Sequence, residues 1–141
     1  MRKIYFFGIG ILLICLAGWA LHVIYKPHLN SAEDPVFDRL DATALFSAFQ
    51  ESETRATKKW VGRVIEISGT ISMVEGAGKY LSITLAGNGA GGVNCSLLRQ
   101  DLPAGRKFNI GERIIIKGRC TGFLMDVNLV DCIIIQQLVK S

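Results

Sequence analysis

Residues 63–75 read RVIEISGTISMVE, and the period of this stretch decides the fold. Ile65, Ile67, Ile71 and Met73 share one parity while Glu66, Ser68, Thr70 and Ser72 take the other, the alternation of a half-buried strand. Gly69 interrupts the apolar parity at mid-strand, where a missing side chain lets the strand bend sharply. After a Gly-Ala-Gly turn, Leu81, Ile83 and Leu85 alternate with Tyr80, Ser82 and Thr84 in a second strand. Residues 87–92, GNGAGG, are a glycine-rich connection that leads into a strand, so they lack the loop-to-helix context of a phosphate cradle. The third strand is VNCSL, with Val93, Cys95 and Leu97 inward. Residues 98–112 are an irregular crossing with Pro103 and Gly105. A fourth strand then carries Ile114 and Ile116 inward, and residues 126–135 make a fifth, joined through residues 121–125. Five short strands, the first long and bent at a glycine, predict a mainly β fold, a five-stranded Greek-key OB barrel over residues 62–136 with a tail at 137–141.

Upstream of the strands the period is close to 3.6. Leu45, Phe49, Ala56 and Trp60 form one stripe with Phe46 beside it, which predicts a single amphipathic helix over 41–61 packed on the barrel. Asp41 or Thr43 caps its start and Gly62 marks its end. Residues 26–40 hold Pro27, Pro35 and scattered charges without an apolar period, and read as a linker. Residues 4–25, IYFFGIGILLICLAGWALHVIY, are long enough as a helix to cross a hydrocarbon core of about 30 Å. Arg2 and Lys3, in the short cytoplasmic end 1–3, orient such a transmembrane anchor with its N-terminus inside. A signal peptide cut after Ala20 is the alternative. Both readings place the barrel outside the cytoplasm.

The chain has 141 residues, room for one domain beyond the apolar segment. Its net charge of +4 invites a nucleic-acid reading, but Arg2 and Lys3 supply half of it. From Lys26 onward 14 cations face 12 anions with no run of like charge, a weak footprint for a polyanion.

KPH at 26–28, TKKW at 57–60, RVIEISGTIS at 63–72, VNC at 93–95, IGERIIIKGRCTGF at 110–123 and DVNLVDC at 126–132 follow one another in an order that resembles the tRNA-anticodon-like OB-fold family of small bacterial exported proteins. Trp60 stands where that pattern has Tyr. The resemblance implies an OB fold and export to the periplasm from a single-pass inner-membrane anchor. The family has no assigned reaction, so it carries over no catalytic residues.

The residues themselves also argue against an enzyme. No histidine follows His28, which removes Ser–His and Cys–His pairs from the barrel. Without a CxxC or a further histidine, Cys95, Cys120 and Cys132 are short of a tetrahedral zinc set, and no metal or cofactor is expected. Cys95 and Cys132, on neighbouring strands of an OB barrel, are a candidate disulfide, with Cys120 the rival partner and three buried thiols the alternative. Asp126 and Asp131 read as a turn residue and a surface charge.

What remains is a binding module. OB barrels take ligands across their second and third strands, which here present Tyr80, Ser82, Thr84, Asn94 and Ser96, with Lys79 and Phe123 on the flanking loops. A Ser/Thr/Asn face suits a peptide or an oligosaccharide. With Tyr80 as its clear aromatic, it suits single-stranded nucleic acid poorly, because such sites combine several stacking rings with a cationic groove. From a different class comes an envelope assembly or scaffold protein that docks a partner protein, for which Phe123, Leu124 and Met125 form an apolar loop tip.

Overall fold

In the computed structural model, which describes residues 2–24 and 31–138, the helices are α1 (Arg2–Ile24), α2 (Ala42–Glu51) and α3 (Glu53–Trp60). The strands are β1 (Asp38–Asp41), β2 (Val64–Ala77), β3 (Tyr80–Ala86), β4 (Gly92–Leu98), β5 (Arg113–Phe123) and β6 (Val127–Leu138). Strands β2 to β6 close a barrel in the order β2-β3-β4-β6-β5, with β5 returning to β2.

The long strand β2 closes the barrel because it serves two neighbours in turn. Residues Val64 to Thr70 pair with β5, and from Ile71 onward the strand pairs with β3. Gly69 sits at the handover. A Cβ there would lie 2.9 Å from the Ala42 Cβ and 3.1 Å from the Leu85 Cβ, so the glycine lets the first residue of α2 rest directly on the bend. A bulge between Ile71 and Met73 then adds one residue to β2 and reverses its parity. Val74 packs against the core, and Met73, expected inward from strict alternation, is half exposed.

A second bulge lies in β6. The register pairs Cys95 with Leu129 and Leu97 with Cys132, so Val130 and Asp131 together oppose Ser96. Asp131 takes the left-handed conformation, φ 51°. This keeps both Leu129 and Cys132 buried although they are three residues apart.

The segment before the barrel departs from the expected linker at 26–40. From Ser31 onward it packs on the barrel: Lys117 Nζ donates to the Ala32 carbonyl at 3.2 Å, and Arg119 pairs with Asp34 at 2.6 Å. β1 then adds to β2 in parallel, Asp38 to Asp41 opposite Ile65 to Ser68. Ion pairs and backbone bonds hold this strap, so no apolar period marked it in the sequence. Residues 25–30, with the end of the expected anchor and the rest of the expected linker, lie outside the described residues. So do Met1 and residues 139–141, whereas the start of the expected tail, residues 137–138, belongs to β6.

The expected single helix over 41–61 is two. Ser52, extended at φ −155°, ends α2 by donating its N–H to the Ala48 carbonyl and caps α3 by accepting from the Arg55 N–H. Asp41 caps α2, as its position before the apolar stripe implied. Leu45, Phe46, Phe49, Ala56 and Trp60 are all buried, and they cover one end of the barrel.

The carboxylates of β1 make this packing sensitive to acid. Asp38 lies below its ordinary 3.8 chiefly because the Trp60 indole N–H donates to it at 2.9 Å. Burial pushes Asp41 up, but donors from Thr43 and Arg113 outweigh it and the net shift is also downward. A carboxyl whose folded pKa is lowered stabilises the fold above 3.8 and loses that contribution as pH falls through the folded value. The melting temperature is therefore expected to fall below about pH 4. The double change Asp38→Asn and Asp41→Asn, which keeps the cap, should flatten that acid limb. An unchanged limb would refute the assignment.

Candidate ligand-binding face

The alternation in β3 and β4 buries Leu81, Ile83, Leu85, Val93, Cys95 and Leu97 and turns the intervening side chains outward. Because the pairing sets Ser82 opposite Ser96 and Thr84 opposite Asn94, the polar side chains form one continuous outer face. Its middle is already hydrogen-bonded within itself. Ser82 Oγ donates to Asn94 Oδ1 at 2.8 Å, and Ser72 Oγ donates to the Thr84 carbonyl at 3.1 Å.

Recesses lie toward the two ends of this face. One, of about 270 Å³, is lined by Tyr80, Ser96, Leu97, Leu98, Val130 and Asp131. The other, of about 250 Å³, includes Ser72, Met73, Thr84, Asn94, Gly91 and Asp126 in its wall. The expected residues are thus divided: Tyr80 and Ser96 line the first recess, Thr84 and Asn94 the second, and Ser82 lies between. Lys79 Nζ sits 5.2 Å from the centre of the Tyr80 ring, and Arg99 Nε donates to the Tyr80 carbonyl at 3.3 Å.

Phe123 does not join this face. It stacks on Phe49 at 5.6 Å and meets Phe46 edge-on at 5.9 Å, packing on the helices that cover the barrel end. Its neighbours Leu124 and Met125 stay out, 82% and 85% exposed. The turn they occupy is anchored from below, since Asp126 Oδ1 accepts the Gly92 N–H at 2.7 Å. Sequence reasoning set Met73 and Asp131 aside, yet both reach a recess because each lies at a bulge. The signal for the second was the apolar pair Leu129 and Cys132 at a spacing of three inside an alternating strand.

The glycine-rich loop is explained by packing. Cβ atoms on Gly87 and Gly91 would come within 2.7 Å and 2.5 Å of the Phe46 ring. Cys95, Cys120 and Cys132 are buried thiols, and the structure has no bridge between the candidate pair Cys95 and Cys132; the Cys95 thiol donates to the Val93 carbonyl at 3.9 Å. Burial pushes Cys120 up to about 11 and Cys132 well above its ordinary value, so both stay protonated at neutral pH, when a thiol is a poor nucleophile. Among the described residues no three His, Cys, Asp or Glu side chains converge as a metal set.

A closed five-stranded barrel, with an N-terminal helix whose segment Ile4–His22 is long and apolar enough to cross a membrane, defines a small OB-fold protein. The chain belongs to the tRNA_anti-like family, whose model matches residues 1–134. Among solved structures, a lipoprotein of Klebsiella pneumoniae subsp. pneumoniae that its name assigns to nucleic-acid binding is similar at a TM-score of 0.55 and 15% identity, over 69% of this chain and 91% of that one. The S. pombe Stn1–Ten1 complex is similar at 0.44 and 17% identity, over 55% of this chain and 59% of that one. An OBody bound to hen egg-white lysozyme is similar at 0.40 and 14% identity, over 55% of this chain and 86% of that one. At these identities the likeness is one of fold. No curated protein matches the sequence.

Proposed function

We propose that this protein is a membrane-anchored, extracytoplasmic binding module that performs no chemistry and takes its ligand across the outer face of β3 and β4. The observation that carries this reading is Tyr80, 41% exposed on a strand face whose central polar groups are hydrogen-bonded to one another. An exposed ring beside a recess is a contact surface without a fold role. A peptide or an oligosaccharide suits the neutral Ser/Thr/Asn surface around it. The absence of histidine from the barrel and the protonated state of Cys120 and Cys132 support the non-catalytic part.

The apolar helix acts as the anchor, with Arg2 and Lys3 holding its N-terminus in the cytoplasm and the barrel in the periplasm.

A second reading, single-stranded nucleic acid, is favoured by the name of the Klebsiella lipoprotein and by Lys79 and Arg99 beside Tyr80. A third, a docking scaffold, is favoured by the exposed pair Leu124 and Met125. One titration series separates them, using full-length protein in detergent micelles against peptides, oligosaccharides and oligodeoxythymidylate. Tyr80→Ala should weaken peptide or oligosaccharide binding at least about tenfold with little change in melting temperature. Oligonucleotide binding with a steep salt dependence would transfer the reading to nucleic acid. Binding indifferent to Tyr80, or turnover of a substrate, would overturn it.

A further inference from the structure

The hydrogen bonds of the outer face are unevenly distributed. Ser72, Ser82, Asn94, Asp126 and Asn128 each use a side-chain polar atom in a bond within the protein. In the second recess the Thr84 hydroxyl and the Glu75 carboxylate are left over among the described residues, whereas at the Tyr80 end no polar side-chain group of the lining is bonded. Among the described residues the Tyr80 hydroxyl, the Ser96 hydroxyl and the Asp131 carboxylate have no hydrogen-bond or ion-pair partner, and all three residues line the 270 Å³ recess.

The bulge explains how they come together. Val130 and Asp131 share the position opposite Ser96, and the left-handed backbone at Asp131 places the carboxylate on a residue that strict alternation would have turned elsewhere. The cations of neighbouring strands are engaged away from it. Arg113 pairs with Asp41, Arg119 with Asp34, and Lys117 with the Ala32 carbonyl. Arg99 reaches over Gly76 on β2, the far side of β3 from Asp131, and Lys79 lies over the Tyr80 ring.

We infer that this recess is a subsite for an alkylammonium side chain of the lysine type, presented by a peptide. The inference rests on the outer face being the binding surface, and it names the chemistry of one end of that surface. An unpaired carboxylate is an acceptor that calls for a donor, and an ammonium supplies charge as well as three donors, enough for Asp131 and the two hydroxyls. Leu98 and Val130 then wall the methylene stem.

The test uses full-length protein in detergent micelles, observed by NMR during titration with acetyl-Gly-Lys-Gly-amide and with the same peptide carrying norleucine. The lysine peptide should shift resonances of Tyr80, Ser96 and Asp131, and the norleucine peptide should not. Asp131→Asn keeps a residue type that tolerates the left-handed backbone, and should weaken lysine-peptide binding about tenfold to a hundredfold without lowering the melting temperature. Tyr80→Phe should weaken it severalfold. Equal binding of the norleucine peptide, unchanged affinity in Asp131→Asn, or no binding of the lysine peptide at millimolar concentration each overturns the ammonium subsite. If an oligosaccharide or oligonucleotide then binds with sensitivity to Tyr80→Ala, the binding face survives and only its chemistry changes. Insensitivity of every ligand to Tyr80→Ala removes the face itself.

Discussion

Gly92→Ala is expected to destabilise the barrel by about 3 kcal/mol, the upper end of what overpacking usually costs. A Cβ at Gly92 would stand 2.0 Å from the Leu85 carbonyl oxygen and 3.1 Å from the Gly87 nitrogen. Both are backbone atoms, and no rotamer change relieves the contact. The residue opens β4 opposite Ala86, and its N–H is the donor that Asp126 accepts, so displacement there also loosens the turn between β5 and β6. Gly78→Ala provides the comparison. Gly78 has a positive φ of 57° but open space around its Cβ position, so it carries only the left-handed penalty of about 1–2 kcal/mol. Denaturant unfolding of both variants, followed by far-ultraviolet circular dichroism, measures the difference. A loss in Gly92→Ala no greater than in Gly78→Ala would show that the close approach to Leu85 is not a constraint.

Phe49→Ala is expected to cost more, about 3–5 kcal/mol, against a typical domain stability of about 5–15 kcal/mol. Phe49 is 1% exposed and holds three elements together. Its ring stacks on Phe123 from β5 at 5.6 Å and lies 6.1 Å from Trp60 of α3. Removing it leaves a cavity between the helices and the barrel end and withdraws the surface on which Phe123 rests. The variant should melt far below Tyr80→Ala, and at intermediate denaturant it should bind a hydrophobic dye that the parent does not. If Phe49→Ala melted within a few degrees of the parent, the helices would have to be an appendage to the barrel and not part of its core.

These two positions were unequally visible beforehand. Phe49 was legible, because a stripe at helical spacing ahead of five alternating segments has few ways to bury itself, and the packed end of a barrel is the available one. Gly92 was not. In the sequence it is the last letter of GNGAGG and reads as flexibility, whereas the close approach of Leu85 and the ring of Phe46 make Gly87, Gly91 and Gly92 packing positions. The strap from Ser31 to Asp41 was hidden for a different reason. Backbone pairing and the bonds of Lys117 and Arg119 hold it, and those leave no period in a sequence. Ser52 as a helix break was open to reading as a cap, but the apolar stripe runs on through it at matching spacing.

The candidate face shows the same division. Period-two alternation put Tyr80, Ser82, Thr84, Asn94 and Ser96 outside together, since parity alone sorts the sides of a regular strand. It misassigned Met73 and gave no reason to place Asp131 beside Ser96, because one inserted residue reverses parity from that point on. Phe123 was assigned to a loop by its neighbours Leu124 and Met125, while the nearness of Phe49, seventy-four positions earlier, draws it inward. The sequence by itself determined the barrel, the helical stripe that covers it and the apolar N-terminal segment, each written in local periodicity. Only the tertiary structure decided which polar groups of the outer face are spent and which stand free at the Tyr80 end, because hydrogen bonds between strands depend on register and bulges that no local period encodes.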